Sequence, residues 1–215
     1  MDELTLDKLA IREVVDNWVI WSDSGDWERF ATVWHEDAWM TATWFQGPAS
    51  KFLAARRAGF ERGVNIIHFL GATTCDIVGT RAVAQTKMTI NQRAHVDDIE
   101  VDAICMGRFY DFFAKHHGRW AIVRRQPIYE KDRLDAVEPG RRLELDATLL
   151  ASFPEGYKHL GYLQTKAGFV VSPACLACAD RRSKNSTPKA GTGSQARSNL
   201  ATYCKRPRRL EHSRC

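Results

Sequence analysis

His68 lies in an apolar stretch, Ile66-Ile67-His68-Phe69, and imidazole is the side chain best suited to taking and returning protons near neutral pH. By pattern alone, a single histidine there is more often a satisfied core residue than a catalyst. Asp23 falls in Ser22-Asp23-Ser24-Gly25, where a carboxylate can serve as a base or simply shape an Asx turn. Arg124 and Arg125 are neighbours on an expected strand, so they point to opposite faces and one of them faces inward; a surface ion pair is the plainer reading of either. No metal and no cofactor is expected. His116-His117 are adjacent on a hairpin, where side chains diverge, and Cys175-x-x-Cys178 lacks the second close pair of a zinc ribbon. Phosphate-binding, dinucleotide, metalloprotease and nucleophile-elbow motifs are absent.

The elements that would position these residues follow from periodicity. Leu6, Leu9, Ala10, Val14, Trp18 and Trp21 recur at helical spacing, with Ile11, Val15 and Val19 widening the stripe and Thr5 as N-cap. Asp26 caps a second helix over Trp27 to Trp34, Ala38 to Phe45 reads as a strand, and Ser50 opens a third helix reaching Arg62. Strands follow over Ile66 to Val78, kinked at Gly71, then Ala82 to His95, Ile99 to Phe113 and Trp120 to Ile128. Tyr129 is expected to leave the sheet, and Leu143 to Phe153 to form a short helix. Helices followed by a meander imply the α+β class, with an antiparallel sheet and its helices on one side.

Charge divides the chain. Residues 172–215 hold ten Lys and Arg against Asp180 and Glu211, a surplus of +8, which leaves −3 on the rest. The folded part therefore carries no nucleic-acid footprint. No apolar run reaches the roughly 20 residues of a membrane helix, and an acidic start without an apolar segment implies a cytoplasmic protein without a disulfide framework. The expected organisation is a domain over 1–135, a partly helical extension over 136–171, and a basic low-complexity tail over 172–215 that reads as disordered or as a translated frameshift. The run Lys205-Arg-Pro-Arg-Arg209 carries little weight in such a tail.

The order helix–helix–strand–helix–meander over residues 4–135 resembles the SnoaL-like branch of the nuclear-transport-factor-two-like superfamily. Trp21-Ser-Asp23-Ser-Gly-Asp-Trp27, followed by Ala31-Thr-Val-Trp34-His-Glu-Asp-Ala38, resembles the aspartate segment of its scytalone dehydratase and hexachlorocyclohexane dehydrochlorinase members. Asn65-Ile-Ile-His68-Phe resembles their histidine segment, and Arg125 falls where the dehydrochlorinase places an arginine. The resemblance implies a cystatin-like curved antiparallel sheet wrapped around N-terminal helices, with a deep apolar pocket. It implies a catalytic set of His68, Asp23 and Arg125: base, orienting carboxylate and anion stabiliser. Such a base contributes roughly 10²–10⁴-fold in rate. Trp18, Trp21, Met40, Trp44, Ile66, Met88, Cys105, Phe109 and Tyr129 are candidate pocket walls, although most aromatic residues at this spacing fill a core. The implied function is a cofactor-independent lyase, dehydratase or dehydrohalogenase, acting on a small apolar cyclic substrate. An isomerase or cyclase using the same histidine and a non-enzymatic binding or assembly module are the alternatives. A homo-oligomer, dimer or trimer, is implied as well, with a small molecule as the other partner and neither nucleic acid nor membrane.

Overall fold

The computed structural model describes residues 1–173. Helix α1 (Glu3–Ser24) is capped by Asp2, whose carboxylate accepts the Thr5 N–H at 2.7 Å. The N-cap is thus Asp2 and not Thr5, because a carboxylate in the extended residue before the first turn reaches an orphan amide three positions on. The buried stripe is Ile11, Val15, Trp18, Val19 and Ser22, whereas Leu6 and Leu9 face solvent. The residues that widen the apolar stripe in the sequence are therefore the ones that meet the sheet.

Helix α2 (Trp27–Thr32) starts at Asp26, which accepts from the Arg29 N–H. It stops before Trp34, which already belongs to strand β1 (Trp34–Thr41), earlier than the aromatic run implies. The reason is tertiary: β1 lies parallel to β6 (Arg119–Arg125), with Trp34 opposite Ile122, so the sheet claims this backbone. β2 (Gln46–Pro48) turns back along β1, and α3 (Ala49–Glu61) follows.

Strands β3 (Asn65–Val78), β4 (Arg81–Val96) and β5 (Ile99–His116) form the antiparallel meander. The register slips between Leu70 and Thr73, where the kink at Gly71 is expected. Alternation along β4 and β5 sends Ala84, Thr86, Met88, Ile90 and Gln92, and then Val101, Ala103, Cys105, Phe109 and Asp111, into the interior.

The expected last strand, Trp120 to Ile128, is two strands. β6 ends at Arg125, the chain turns at Gln126-Pro127, and β7 (Ile128–Ala136) resumes beside a different part of β5. Tyr129 therefore stays in the sheet and does not leave it. β5 pairs with β7 from Val101 to Arg108 and with β6 from Asp111 to His116. This division bends the sheet, whose order is β2-β1-β6-β5-β4-β3, into an open curve around the helices. The fold is α+β, as expected; one parallel pair makes the sheet mixed.

Helix α4 (Ala147–Ala151) lies inside the expected helical stretch. Helix α5 (Lys158–Lys166) has no counterpart in the sequence reading. Tyr157, Leu160, Tyr162 and Leu163 join the same apolar core as Trp18 and Phe109, so residues 157–166 pack as part of the cone. The expectations for the basic tail, apart from its first two residues, lie outside the described residues.

Candidate active site

Asp23 sits one residue before the end of α1. The helix ends because Gly25 adopts φ 77°, which a side chain rarely tolerates, and its N–H caps the Trp21 carbonyl. A Cβ at Gly25 would also meet Phe60 at 3.0 Å. Held there, Asp23 reaches the start of β3. Its Oδ2 accepts the backbone N–H of His68 at 2.7 Å and its Oδ1 lies 2.9 Å from Nδ1 of the same residue. One carboxylate thus fixes both the strand and the ring. It makes Nδ1 the protonated nitrogen of the neutral imidazole, so Nε2 carries the lone pair. Nε2 has no protein partner among the described residues, on a ring that lines the cavity. The edge of that ring meets Trp18, with centroids 5.4 Å apart.

The cavity is about 40 Å³ with α5 seated over it. Of the anticipated wall residues, Trp18, Met40, Trp44, Ile66, Phe109 and Tyr129 line it. Trp21, Met88 and Cys105 do not. Trp21 packs half-buried along α1, and Met88 fills the core from β4. The Cys105 thiol approaches the Gly156 carbonyl at 3.6 Å, under the loop leading into α5. Burial pushes that thiol well above its ordinary range, so it is an inert core group.

Arg125 also differs from expectation. It is wholly buried, and its Nε and Nη2 bind the two oxygens of Asp111 at 2.8 and 2.7 Å. Its guanidinium stacks 3.8 Å from the Phe109 ring centre and 4.3 Å from that of Trp18. Both rings line the cavity and Arg125 does not, so it supports the wall from behind. Burial pushes the Asp111 carboxyl upward, with Arg125 acting against that shift.

The arginine that does line the cavity is Arg56 of α3. Its side chain is 4% exposed, and Nη2 stands 3.6 Å from Asp23 Oδ1. Burial lowers its pKa, opposed by the charge of Asp23. A sequence signal existed: Phe52, Arg56 and Gly59 recur at helical spacing on the buried face, which puts an arginine on an apolar stripe. A polar chain runs beside it. Thr43 Oγ1 donates to Gln164 Oε1 at 2.6 Å, and Gln164 Nε2 donates to Gln92 Oε1 at 3.0 Å. Among the described residues, His35, Glu36 and Asp37 place ligand atoms within 4.8 Å of one another, but none lines the cavity.

A curved mixed sheet closed by helices around a histidine–carboxylate pair defines an α+β cone with a lined cavity. The SnoaL-like domain model matches residues 3–126, and the chain belongs to that family. Pea pathogenicity protein 2 of Fusarium vanettenii is 37% identical over 169 residues, covering 77% of this chain and 72% of that protein. A scytalone dehydratase-like protein of Novosphingobium aromaticivorans superposes with TM-score 0.51 at 19% identity, over 65% of this chain and 97% of its own. A hexachlorocyclohexane dehydrochlorinase (LinA, type 2) gives 0.53 at 11% identity, over 66% and 96%. These two structures support the fold. Among the described residues no helix is long and apolar enough to cross a membrane.

Proposed function

We propose that this protein is a cofactor-independent lyase, of dehydratase or dehydrohalogenase type, in which His68 removes a C–H proton from a small apolar cyclic substrate. The observation that carries this reading is the double grip of Asp23 on His68. Asp23 fixes the tautomer and faces the positive charge that develops on the ring once Nε2 takes a proton. The apolar walls keep water from competing for that proton. Isomerisation or ring closure would use the same base, and the substrate's leaving group decides between them.

The test is proton exchange and elimination followed by NMR in D₂O, across halogenated and hydroxylated cyclic compounds. Wild type should exchange or eliminate on at least one of them. His68→Gln should lose about 10²–10⁴-fold in rate, as for removal of a positioned general base. Asp23→Asn should lose rate as well, through misorientation of the ring. Full activity in His68→Gln would sink the proposal.

A further inference from the structure

The two histidines of the β5–β6 hairpin diverge, as neighbours on a strand should: their ring planes stand 86° apart, with centroids at 5.9 Å. His117 sits in the turn itself, with φ 49°. His116 meets a different imidazole. The ring of His35, on β1, stands edge-on to it with centroids 5.2 Å apart.

His35 opens a bulge. Trp34 pairs with Ile122 and Trp39 with Arg124, so the four residues His35 to Ala38 stand opposite Val123 alone. In a regular strand His35 and Asp37 would face one way and Glu36 the other. The bulge breaks that alternation and brings one donor atom from each of the three within 4.8 Å of the others. His35 Nδ1 accepts the Asp37 N–H at 3.3 Å, so this ring is neutral, with its lone pair on Nδ1.

The local charge also favours a cation there. Glu36 and Asp37 are exposed, and their carboxylates have neither an ion pair nor a hydrogen bond among the described residues. Basic side chains at this end of the sheet are committed elsewhere: Lys115 to Asp7 and Glu3 of α1, Arg119 to the Thr32 carbonyl. Two carboxylates that the backbone holds together repel each other, and a metal ion between them reverses the sign of that interaction.

We propose that His35 and His116, with the carboxylates of Glu36 and Asp37, form a site for one divalent transition-metal ion, zinc by its donor set, that ties the β1 bulge to the β5–β6 hairpin. Imidazole mixed with carboxylate suits zinc, whereas calcium and magnesium take oxygen donors. Tetrahedral donors with bonds of about 2.0–2.2 Å stand about 3.4 Å apart, and rotation of these side chains closes the present gap to that spacing. His116 supplies the second nitrogen from the other side of β6. None of the four residues lines the cavity, so the site is independent of His68 and acts on the fold, across the stretch where β1 and β6 lose their pairing.

The test is calorimetric titration with Zn²⁺ of the full chain carrying Cys175→Ser, Cys178→Ser, Cys204→Ser and Cys215→Ser, so that these thiolates do not compete for metal. Zinc should bind and raise the melting temperature, because it binds the folded state. His35→Gln and His116→Gln should each weaken that binding at least about tenfold, the loss typical even of residues that only support a metal ligand. Each should also remove the rise in melting temperature, as should Glu36→Gln and Asp37→Asn made together. His117→Gln should leave both readings unchanged. If His35→Gln does not fold, as judged by circular dichroism, His116→Gln at its exposed position decides. No zinc binding, or binding unaltered in His116→Gln or in the paired carboxylate variant, overturns the site. So does a loss in His117→Gln equal to that in His116→Gln, or a Ca²⁺ affinity equal to that for Zn²⁺ that survives both histidine variants.

Discussion

Asp23 and Asp111 show how one residue type acquires two tasks from its surroundings. Asp23, 15% exposed, keeps one loose cationic neighbour and gives its oxygens to a histidine that reaches the cavity. Asp111 is fully buried and spends both oxygens on Arg125, leaving nothing for chemistry. Arg125→Met should therefore cost about 3–5 kcal/mol of stability, because it strands a buried carboxylate and strips a cation from the faces of Trp18 and Phe109. Denaturant melts would measure it. Replacing Arg125 and Asp111 together by apolar residues should recover much of the loss, since the pair is then removed without leaving an orphan charge. His68 and Asp23 were legible in the sequence because their local segments carry the family resemblance. Arg125 was legible as an inward arginine but not as a paired one, since its partner lies 14 residues earlier on another strand.

Among the elements, the join between β5 and β7 is the tightest. A Cβ on Gly107 would meet the Ile128 carbonyl oxygen at 2.2 Å, a contact with backbone that no rotamer relieves. Gly107→Ala should thus cost more than about 2 kcal/mol by forcing the strands apart where the register shifts. The effect should reach the cavity, because Tyr129 pairs opposite Gly107 and lines the wall. Thermal unfolding of the alanine variant checks the first point, and the rate of proton exchange or elimination in D₂O the second. Helix α5 gives the complementary case. Leu163 is fully buried, so Leu163→Ala should cost about 2–5 kcal/mol and loosen the cover that Leu160 and Gln164 place over the cavity. The buried run Leu160-Gly161-Tyr162-Leu163-Gln164 has no helical period, which is why the helix was invisible beforehand.

At the scale of the molecule, one ion pair ties the first helix to the far end of the sheet and should shape the response to pH. Asp7 lies 2.8 Å from Lys115 Nζ and accepts the Trp120 indole N–H at 2.8 Å. The hydrogen bonds from Lys115 and then Trp120 lower the Asp7 carboxyl; the same bond raises Lys115. A lowered acid contributes stability that is full above its unfolded pKa, about 3.9, and lost as pH falls through the folded value. A raised base contributes stability that is full below about 10.4 and lost as pH rises through its folded value. Melting temperature should therefore fall at both extremes, and Asp7→Asn should flatten both limbs while leaving the cavity untouched. A wild-type and Asp7→Asn comparison from acid to alkaline pH measures it.

The sequence by itself determined what depends on local spacing. The three helices, the meander and its kink at Gly71, the acidic balance of the main domain, and the candidacy of Asp23 and His68 all rest on residues close together in the chain. Tertiary structure decided what depends on separated segments meeting. It set the parallel pairing of β1 with β6 and the sharing of β5 between β6 and β7. It also engaged Arg125 with Asp111 behind the cavity wall while setting Arg56 beside Asp23 on the wall itself. Periodicity tells which face of an element is buried, but not which partner a buried charge will find there. That choice belongs to segments far apart in the chain, such as β4 and α5, which meet through Gln92 and Gln164 beside Arg56 on the cavity wall.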